Sequence, residues 1–600
     1  MLPILIILPL LAAILIIAAS GGRRYAYAKY LALAASLASL LMLPLISTGE
    51  YNLSWISVGQ AYLPISFAIA PINLILLSIV LLVGPLVFLY SFGYMKLPSE
   101  QRRFHVEMLA FESAMLVFAM SGNMVTLFIA WEFLSVTSYL LIGFWHRKHA
   151  AALAARKAIT IILIGDVALV AAIALLWNAA GTLQFSQIGA MMVHGSSLGY
   201  PLYAASILIA IAIMTKSAQF PFQEWLPDAM EGPTPVSAFL HSSTMVKAGA
   251  FLVIILYPIF QYSGTRWLLF ASATITVLIS TLNAMKETGI KRILAYSTTQ
   301  ELGLMIMAAA SGAILASLYF FIVQSFYKAL LFFNAGAVME STNKNDIREI
   351  RGMSSNKAMY LTVIVGVASL AGFFPFSGFF SGTALASSFS LNLYTFAFIS
   401  LIGFSTSFFI FRWMLFPSRK PEPSQTNQRL NVPRPMLAAM ALAAVLALAS
   451  VAAFFMLPGY INSYSYYLSS FAKASALRLG GFSAATVETV LAVAGASASY
   501  LVFRKSLSLR SPEISALVNN SRLFNPLYGF FASGVSWLGD GIKSFDTSLD
   551  MLFEHVGSLT LGFGRQARLA SSGSINTYVA ISAVAIAILL VYVFLLGGMR

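Results

Sequence analysis

The side chains best suited to chemistry in this sequence are ionisable groups set inside apolar runs. The densest set lies between Lys216 and Lys247. Lys216-Ser-Ala-Gln-Phe-Pro-Phe leads into Trp225-Leu-Pro-Asp-Ala-Met, and His241-Ser-Ser-Thr-Met-Val-Lys247 closes the stretch. Glu132 sits in Leu127-Phe-Ile-Ala-Trp-Glu-Phe-Leu-Ser, apolar on both sides, and Lys328 and Glu301 lie in similar runs further on. A charge near the centre of a bilayer costs at least roughly 2.5 kcal/mol, so chains that keep several use them for ion or proton transfer. Glu132 needs a cation, and Lys216 and Lys247 are the available ones. A buried lysine beside a carboxylate is favoured in its charged form by the pair and disfavoured by desolvation. Shifting the carboxylate's influence therefore switches the lysine's proton on or off. His241 is a relay near neutral pH or a hydrogen-bonded packing residue. Asp166 and Glu112 are further intramembrane carboxylates, serving proton transfer or orienting helices through buried pairs.

The elements that position these groups follow from composition. The 600 residues are 59% hydrophobic and 10% charged, too little polar surface to cover a soluble globule. Apolar runs of about 20 residues recur along the chain, each long enough to cross about 30 Å of hydrocarbon as a helix. The fold class is therefore an all-α polytopic membrane protein. About sixteen spans are expected, near residues 2–20, 28–47, 68–95, 105–121, 123–144, 153–178, 200–230, 235–258, 267–286, 291–310, 312–339, 358–388, 390–416, 435–457, 484–503 and 575–597. Phe220-Pro221-Phe222 interrupts the seventh and Phe374-Pro375-Phe376 the twelfth, five spans later. Proline breaks in corresponding spans point to inverted repeats with midplane sites. A broken ladder also frees backbone carbonyls for water or a cation.

The net charge of +15 describes topology, not nucleic-acid binding, because the basic residues fall in alternate loops. Arg23, Arg24 and Lys29 begin a series that continues with Lys96, Arg102 and Arg103, with Arg147, Lys148, Arg156 and Lys157, and then every two spans to Arg434. Loops 47–67 and 178–199 have no Lys or Arg. The basic loops are therefore expected in the cytoplasm and the N-terminus outside. Two arginines follow the first apolar run and none precedes it, which is the pattern of an outward-facing span and not of a signal peptide. The chain has no cysteine for an iron–sulfur cluster and no zinc-type histidine spacing.

From 522 to 569 the pattern changes. Leu538, Ile542, Phe545, Leu549, Leu552, Val556 and Leu559 recur at three- and four-residue steps, with Asp540, Lys543, Asp550 and Glu554 elsewhere. That is an interfacial amphipathic helix, expected on the cytoplasmic side. It reaches up to about 70 Å if continuous. A final anchor at 575–600 follows it.

These residues resemble the antiporter-like subunits of respiratory complex I and its relatives, the Mrp cation/proton antiporters and membrane-bound hydrogenases. The resemblance is closest to the largest such subunit, subunit L, or subunit 5 in mitochondria. It rests on Trp131-Glu132, Lys216-Ser-Ala-Gln, Trp225-Leu-Pro-Asp-Ala-Met, Gly232-Pro-Thr-Pro-Val-Ser-Ala, His241 through Gly249, Lys291-Arg-Ile-Leu-Ala-Tyr-Ser-Thr298 and Lys328-Ala-Leu-Leu-Phe. It implies N-terminal transmembrane helices at 1–104, a first antiporter-like repeat at 105–258, a second at 267–416, and additional spans at 417–503. It also implies that Glu132 and Lys216 pair in a first half-channel, that Lys291 and Lys328 form a central relay, and that His241 links the two.

No cofactor is implied on this chain. Iron–sulfur clusters, a flavin or other donor cofactor, and quinone belong to partner subunits of a proton-translocating oxidoreductase in a prokaryotic plasma membrane. The donor is NADH, F420, ferredoxin or formate, and the moving ion is the proton or sodium. The Mrp reading and a purely structural role are the alternatives. The sequence departs from the family at Gly382, where a lysine follows Gly-Phe-Phe-Ser, and at Gln324 and Phe320, where histidines are expected. Glu301 is expected to compensate by pairing with Lys328.

Overall fold

The computed structural model describes residues 2–18, 27–58, 61–193, 199–389, 392–420, 430–462 and 482–508. The chain divides into Met1–Leu517 and Val518–Arg600, and all described residues belong to the first unit. The expected amphipathic helix at 522–569, the anchor at 575–600, Arg23 and Arg24 lie outside the described residues.

This is a multi-pass membrane protein. Among the described residues nine helices are long and apolar enough to cross a bilayer, or ten if Arg434–Ala449 and Ala452–Tyr460, bent by 58°, form one span. In chain order the helices are α1 (Leu2–Ala18), α2 (Ala28–Met42), α3 (Pro71–Tyr94), α4 (Pro98–Ala119), α5 (Met124–Ile142), α6 (His149–Ala180) and α7 (Phe185–Val193). They continue as α8 (Gly199–Lys216), α9 (Trp225–Asp228), α10 (Thr234–Leu240), α11 (Lys247–Ile255), α12 (Tyr257–Ser263), α13 (Arg266–Lys286) and α14 (Ile290–Ala310). The last are α15 (Ile314–Thr342), α16 (Lys357–Ala371), α17 (Ser377–Ser388), α18 (Leu393–Leu415), α19 (Arg434–Ala449), α20 (Ala452–Asn462) and α21 (Phe482–Ser508).

Local chemistry sets many of the ends. The Asn123, Asn356 and Asn392 side chains accept hydrogen bonds from the first-turn amides of α5, α16 and α18. At the other ends, Gly181 and Gly372 adopt the left-handed conformation that closes α6 and α16.

Two features depart from the expected pattern. The basic-free loop at 47–67 is an antiparallel hairpin, Gly49–Val58 with Ala61–Ile69, so the fold is not wholly helical. Tyr51, Leu53 and Trp55 alternate with polar residues, the two-residue period of a strand. The hairpin docks onto the start of α5, where Ser66 N–H donates to Thr126 Oγ1 and Asn123 Nδ2 donates to Pro64 O. The expected continuous span at 235–258 is also interrupted, with residues 241–246 between α10 and α11. Thr244 donates to Phe239 O there, one of the local hydroxyl-to-carbonyl bonds that compete with the helix ladder.

In a bilayer, helices gain little from apolar burial against one another, so close packing and hydrogen bonds hold them together. α15 is the axis of the bundle. Every residue from Ile314 to Val338 is buried, and it packs against α3, α10, α14, α16, α17 and α19. α6 lies tightly on α8 because residue 165 is glycine, where a Cβ would overlap Thr215 Oγ1. That approach brings the neighbouring Asp166 toward the end of α8.

Candidate functional site

α8 stops at Lys216, and the chain runs irregularly to Trp225. Three of the carbonyls at this break accept from side chains. Trp225 Nε1 donates to Thr215 O at 2.9 Å, Gln219 Nε2 to Ser217 O at 2.7 Å, and Ser272 Oγ of α13 to Phe220 O at 2.6 Å. Buried backbone groups must be paired, and side chains close to the break are the nearest donors. The break thus ends a helix at a lysine and is tied to its surroundings by side-chain hydrogen bonds.

Lys216 is fully buried. Its ammonium donates to Trp131 O at 2.9 Å and to Ser135 Oγ at 2.6 Å, and lies 4.5 Å from the centre of the Trp131 ring. Asp166 is the carboxylate bound to the same two residues. Trp131 Nε1 donates to Asp166 Oδ1 at 2.6 Å, and Ser135 Oγ lies 3.2 Å from Asp166 Oδ2. Glu132 is half-buried and makes no ion pair with Lys216 within 4 Å among the described residues. The sequence favoured Glu132 because its flanks are apolar. On a helix, however, residues 131 and 135 share a face and 132 points about 100° away.

The segments carrying the first and second lysines are tied together. Ser217 Oγ donates to Val246 O at 2.6 Å, which joins the residues following Lys216 and preceding Lys247. Lys247 is fully buried, donates to Phe321 O at 2.6 Å and to Ser325 Oγ, and lies 4.6 Å from the Phe321 ring centre. Ser325 is three residues before Lys328, on the same face of α15. Lys328 forms an ion pair with Glu301 Oε2 at 2.9 Å and donates to Ser297 Oγ. Tyr327 OH donates to Glu301 Oε1 at 2.6 Å, and Gln324, at a position where the resemblance expects histidine, donates to Glu301 Oε2 at 3.2 Å.

Three expected participants stand apart. Lys291 donates to Met230 O and Gly232 O, both at 2.7 Å. It enters α14 six residues before Ser297, about 9 Å along the axis. It therefore clamps the segment beyond the break instead of touching Lys328. His241 is buried against Trp225, and both of its ring nitrogens lack a hydrogen-bond partner among the described residues. Glu112 is buried in α4 and accepts from Ser36 of α2 at 2.6 Å.

Residues 121–409 match the family described as NADH:quinone oxidoreductase/Mrp antiporter, TM, and residues 55–105 match the complex I chain 5 N-terminus. The chain belongs to the antiporter-like subunit family of complex I and Mrp antiporters. Among relatives of this antiporter-like subunit, NAD(P)H-quinone oxidoreductase chain 5 of Picosynechococcus sp. is 34% identical over 402 residues, 64% of this chain and 60% of that one. A Na(+)/H(+) antiporter subunit of Alkalihalophilus pseudofirmus is 37% identical over 367 residues, 56% of this chain and 45% of its own length. The chain thus spans roughly half the length of these curated relatives.

In fold, the antiporter-like subunit is similar to a chain of the Mrp complex from Dietzia sp. DQ12-45-1b, with a TM-score of 0.71 and 23% identity. That match covers 99% of this chain and 63% of that one. It is also similar to a chain of an archaeal membrane-bound sulfane sulfur reductase, with a TM-score of 0.72 and 18% identity. Here the coverage is 98% of this chain and 99% of the other.

Proposed function

We propose that this antiporter-like subunit translocates protons within a complex I-like NADH (or other donor):quinone oxidoreductase. The observation that carries the proposal is a succession of buried polar clusters in an apolar interior: Asp166, Trp131, Ser135 and Lys216, then Lys247 with Ser325, then the Lys328–Glu301 pair one helical turn from Ser325. Lysines without a carboxylate in contact are costly in hydrocarbon and are tolerated where their charge is transient. Each proton added at one end alters the field at the next lysine, so protons advance by alternate pairing and release. Glu132 serves as the entry carboxylate at the half-exposed side of α5, and His241 relays through water between the first and second lysines. Lys291 holds the broken segment in register.

The finer architecture belongs to the same reading. About sixteen spans include two inverted five-helix repeats at 105–258 and 267–416, with the breaks at residues 217–224 and 372–376 in corresponding spans. N-terminal helices at 1–104, additional spans at 417–503, a lateral helix at 522–569 and an anchor at 575–600 complete it. The N-terminus faces outward from a prokaryotic plasma membrane, and the lateral helix lies on the cytoplasmic side against neighbouring membrane subunits. Redox cofactors and quinone reside on partner subunits, so this chain works in a translocase without a catalytic centre of its own.

The identity with Na(+)/H(+) antiporter subunits, up to 40% over 319 residues, supports Mrp-type cation/proton exchange as the second reading. The purified assembly in proteoliposomes, with a pH dye inside, separates the two. Acidification driven by donor oxidation supports the oxidoreductase reading. A pH change driven by a sodium pulse without a donor supports exchange. No proton movement under either drive would leave only a structural brace.

A further inference from the structure

α18 and α21 run parallel. Ser400 Oγ donates to Glu488 Oε1 at 2.9 Å near their starts, Ser407 donates to Ala492 O at 2.6 Å midway, and the Phe416 and Phe503 rings meet near their ends. The contact is close because residue 495 is glycine, where a Cβ would overlap Phe404 O. α21 thereby carries Glu488, the acidic residue of its own sequence, to a cavity of about 70 Å³ that Glu301 also lines. Tyr327, Ser381, Gly382 and Thr406 share the lining. A single water needs about 10–15 Å³ of such space, so the cavity has room for a short water chain. Gly382 borders this open space, since a Cβ there would meet no atom within 4 Å.

The levels of the two carboxylates set a direction. Glu301 lies ten residues from Lys291, about 15 Å from the basic end of α14, which is near mid-membrane. Glu488 lies sixteen residues before Arg504, about 24 Å from the basic end of α21, and therefore nearer the opposite face. Glu488 is half-buried, whereas Glu301 is buried.

We propose that Glu488 is the terminal proton carrier of the second half of the subunit, reached from Glu301 through the cavity at Gly382. The inference rests on the proton-translocating reading and assigns its exit. A proton leaves the Glu301 carboxyl, passes along water in the cavity to the Glu488 carboxylate, and departs at the face away from the basic loops. Glu301 is left as a carboxylate paired with the Lys328 ammonium. The exit group is thus a carboxylate on an added helix, and no side chain is needed at residue 382.

The test measures protons moved per electron by the whole assembly in proteoliposomes for Glu488→Gln, Glu488→Asp, Gly382→Leu and Lys216→Ala. Glu488→Gln is expected to lower the ratio at least twofold and Glu488→Asp to restore most of it. A carboxylate that only braces Ser400 would be replaced adequately by Gln, which still accepts that hydrogen bond. Gly382→Leu extends a side chain into the cavity while leaving both carboxylates unmutated and is expected to lower the ratio equally. A wild-type ratio in Glu488→Gln and Gly382→Leu, with Lys216→Ala reduced, would overturn the Glu488 exit and leave the translocating reading intact. A wild-type ratio in all the variants would overturn both. If Glu488→Gln does not assemble, Gly382→Leu decides by the same criterion.

Discussion

Replacing Glu301 with Gln removes the negative partner of Lys328 while keeping shape. The ion pair is fully enclosed at 2.9 Å, so its gross attraction is roughly 6 kcal/mol at an effective dielectric of about 20. Desolvation takes back part of that, and breaking a buried pair by removing one partner costs about 3–5 kcal/mol because the remaining charge is uncompensated. Glu301→Gln is therefore expected to reduce the amount of this chain found in the assembly and to abolish proton movement by what remains. The double variant Glu301→Gln/Lys328→Met removes both charges and leaves none stranded, so assembly should return to near the wild-type level. Proton movement should not return, because the carrier is gone. Detergent-extracted complex on a native gel reads the first quantity, and a pH dye in proteoliposomes, referred to donor oxidation, reads the second. A double variant that assembles and pumps at the wild-type ratio would refute the reasoning, since the pair would then be only a structural tie.

Other outcomes follow from the same geometry. Asp166→Asn should lower protons per electron at least as strongly as Glu132→Gln, because Asp166 shares Trp131 and Ser135 with Lys216 and Glu132 does not; the same dye assay ranks them. Gly165→Val should prevent assembly, seen as loss of the subunit from the native-gel band, because a side chain there overlaps Thr215 and comes within 3.0 Å of Ala212 Cα. In the loop between α15 and α16, burial alone would raise the Asp346 carboxyl. Hydrogen bonds from the side chain and backbone N–H of Arg348 outweigh burial and hold it below its usual range. The stabilisation is complete above the ordinary carboxyl value near 4 and is lost as pH falls through the lower native value. Asp346→Asn should remove that acid-side loss from thermal melts while lowering stability slightly at neutral pH.

Much of the site was legible because charge in hydrocarbon is rare enough to stand out. Lys216, Lys247, Lys328, Glu301 and Asp166 are visible from their apolar flanks alone, and the Glu301–Lys328 pairing was expected as compensation for the missing lysine at Gly382. Which groups surround Lys216 was not legible, because a partner across helices depends on facing direction. Trp131 and Ser135 share a face that Glu132 does not, and through them Asp166 shares hydrogen-bond partners with Lys216. The interruption at 241–246 carries no proline or glycine, so nothing in Ser242-Ser243-Thr244 announced it. The hairpin at 49–69 was hidden because a segment of this length between two spans suits a loop equally well. Glu488 went unnoticed because a single carboxylate near the end of a span is ordinary. Only the parallel packing of α18 and α21 carries it to the cavity beside Glu301.

The central claim is that protons move along the buried lysines of this subunit. Lys216→Ala in the intact assembly tests it most directly, with protons per electron measured in proteoliposomes and donor oxidation followed in the same sample. The account predicts that the complex assembles and that the ratio falls. An unchanged ratio in fully assembled Lys216→Ala complex would contradict it.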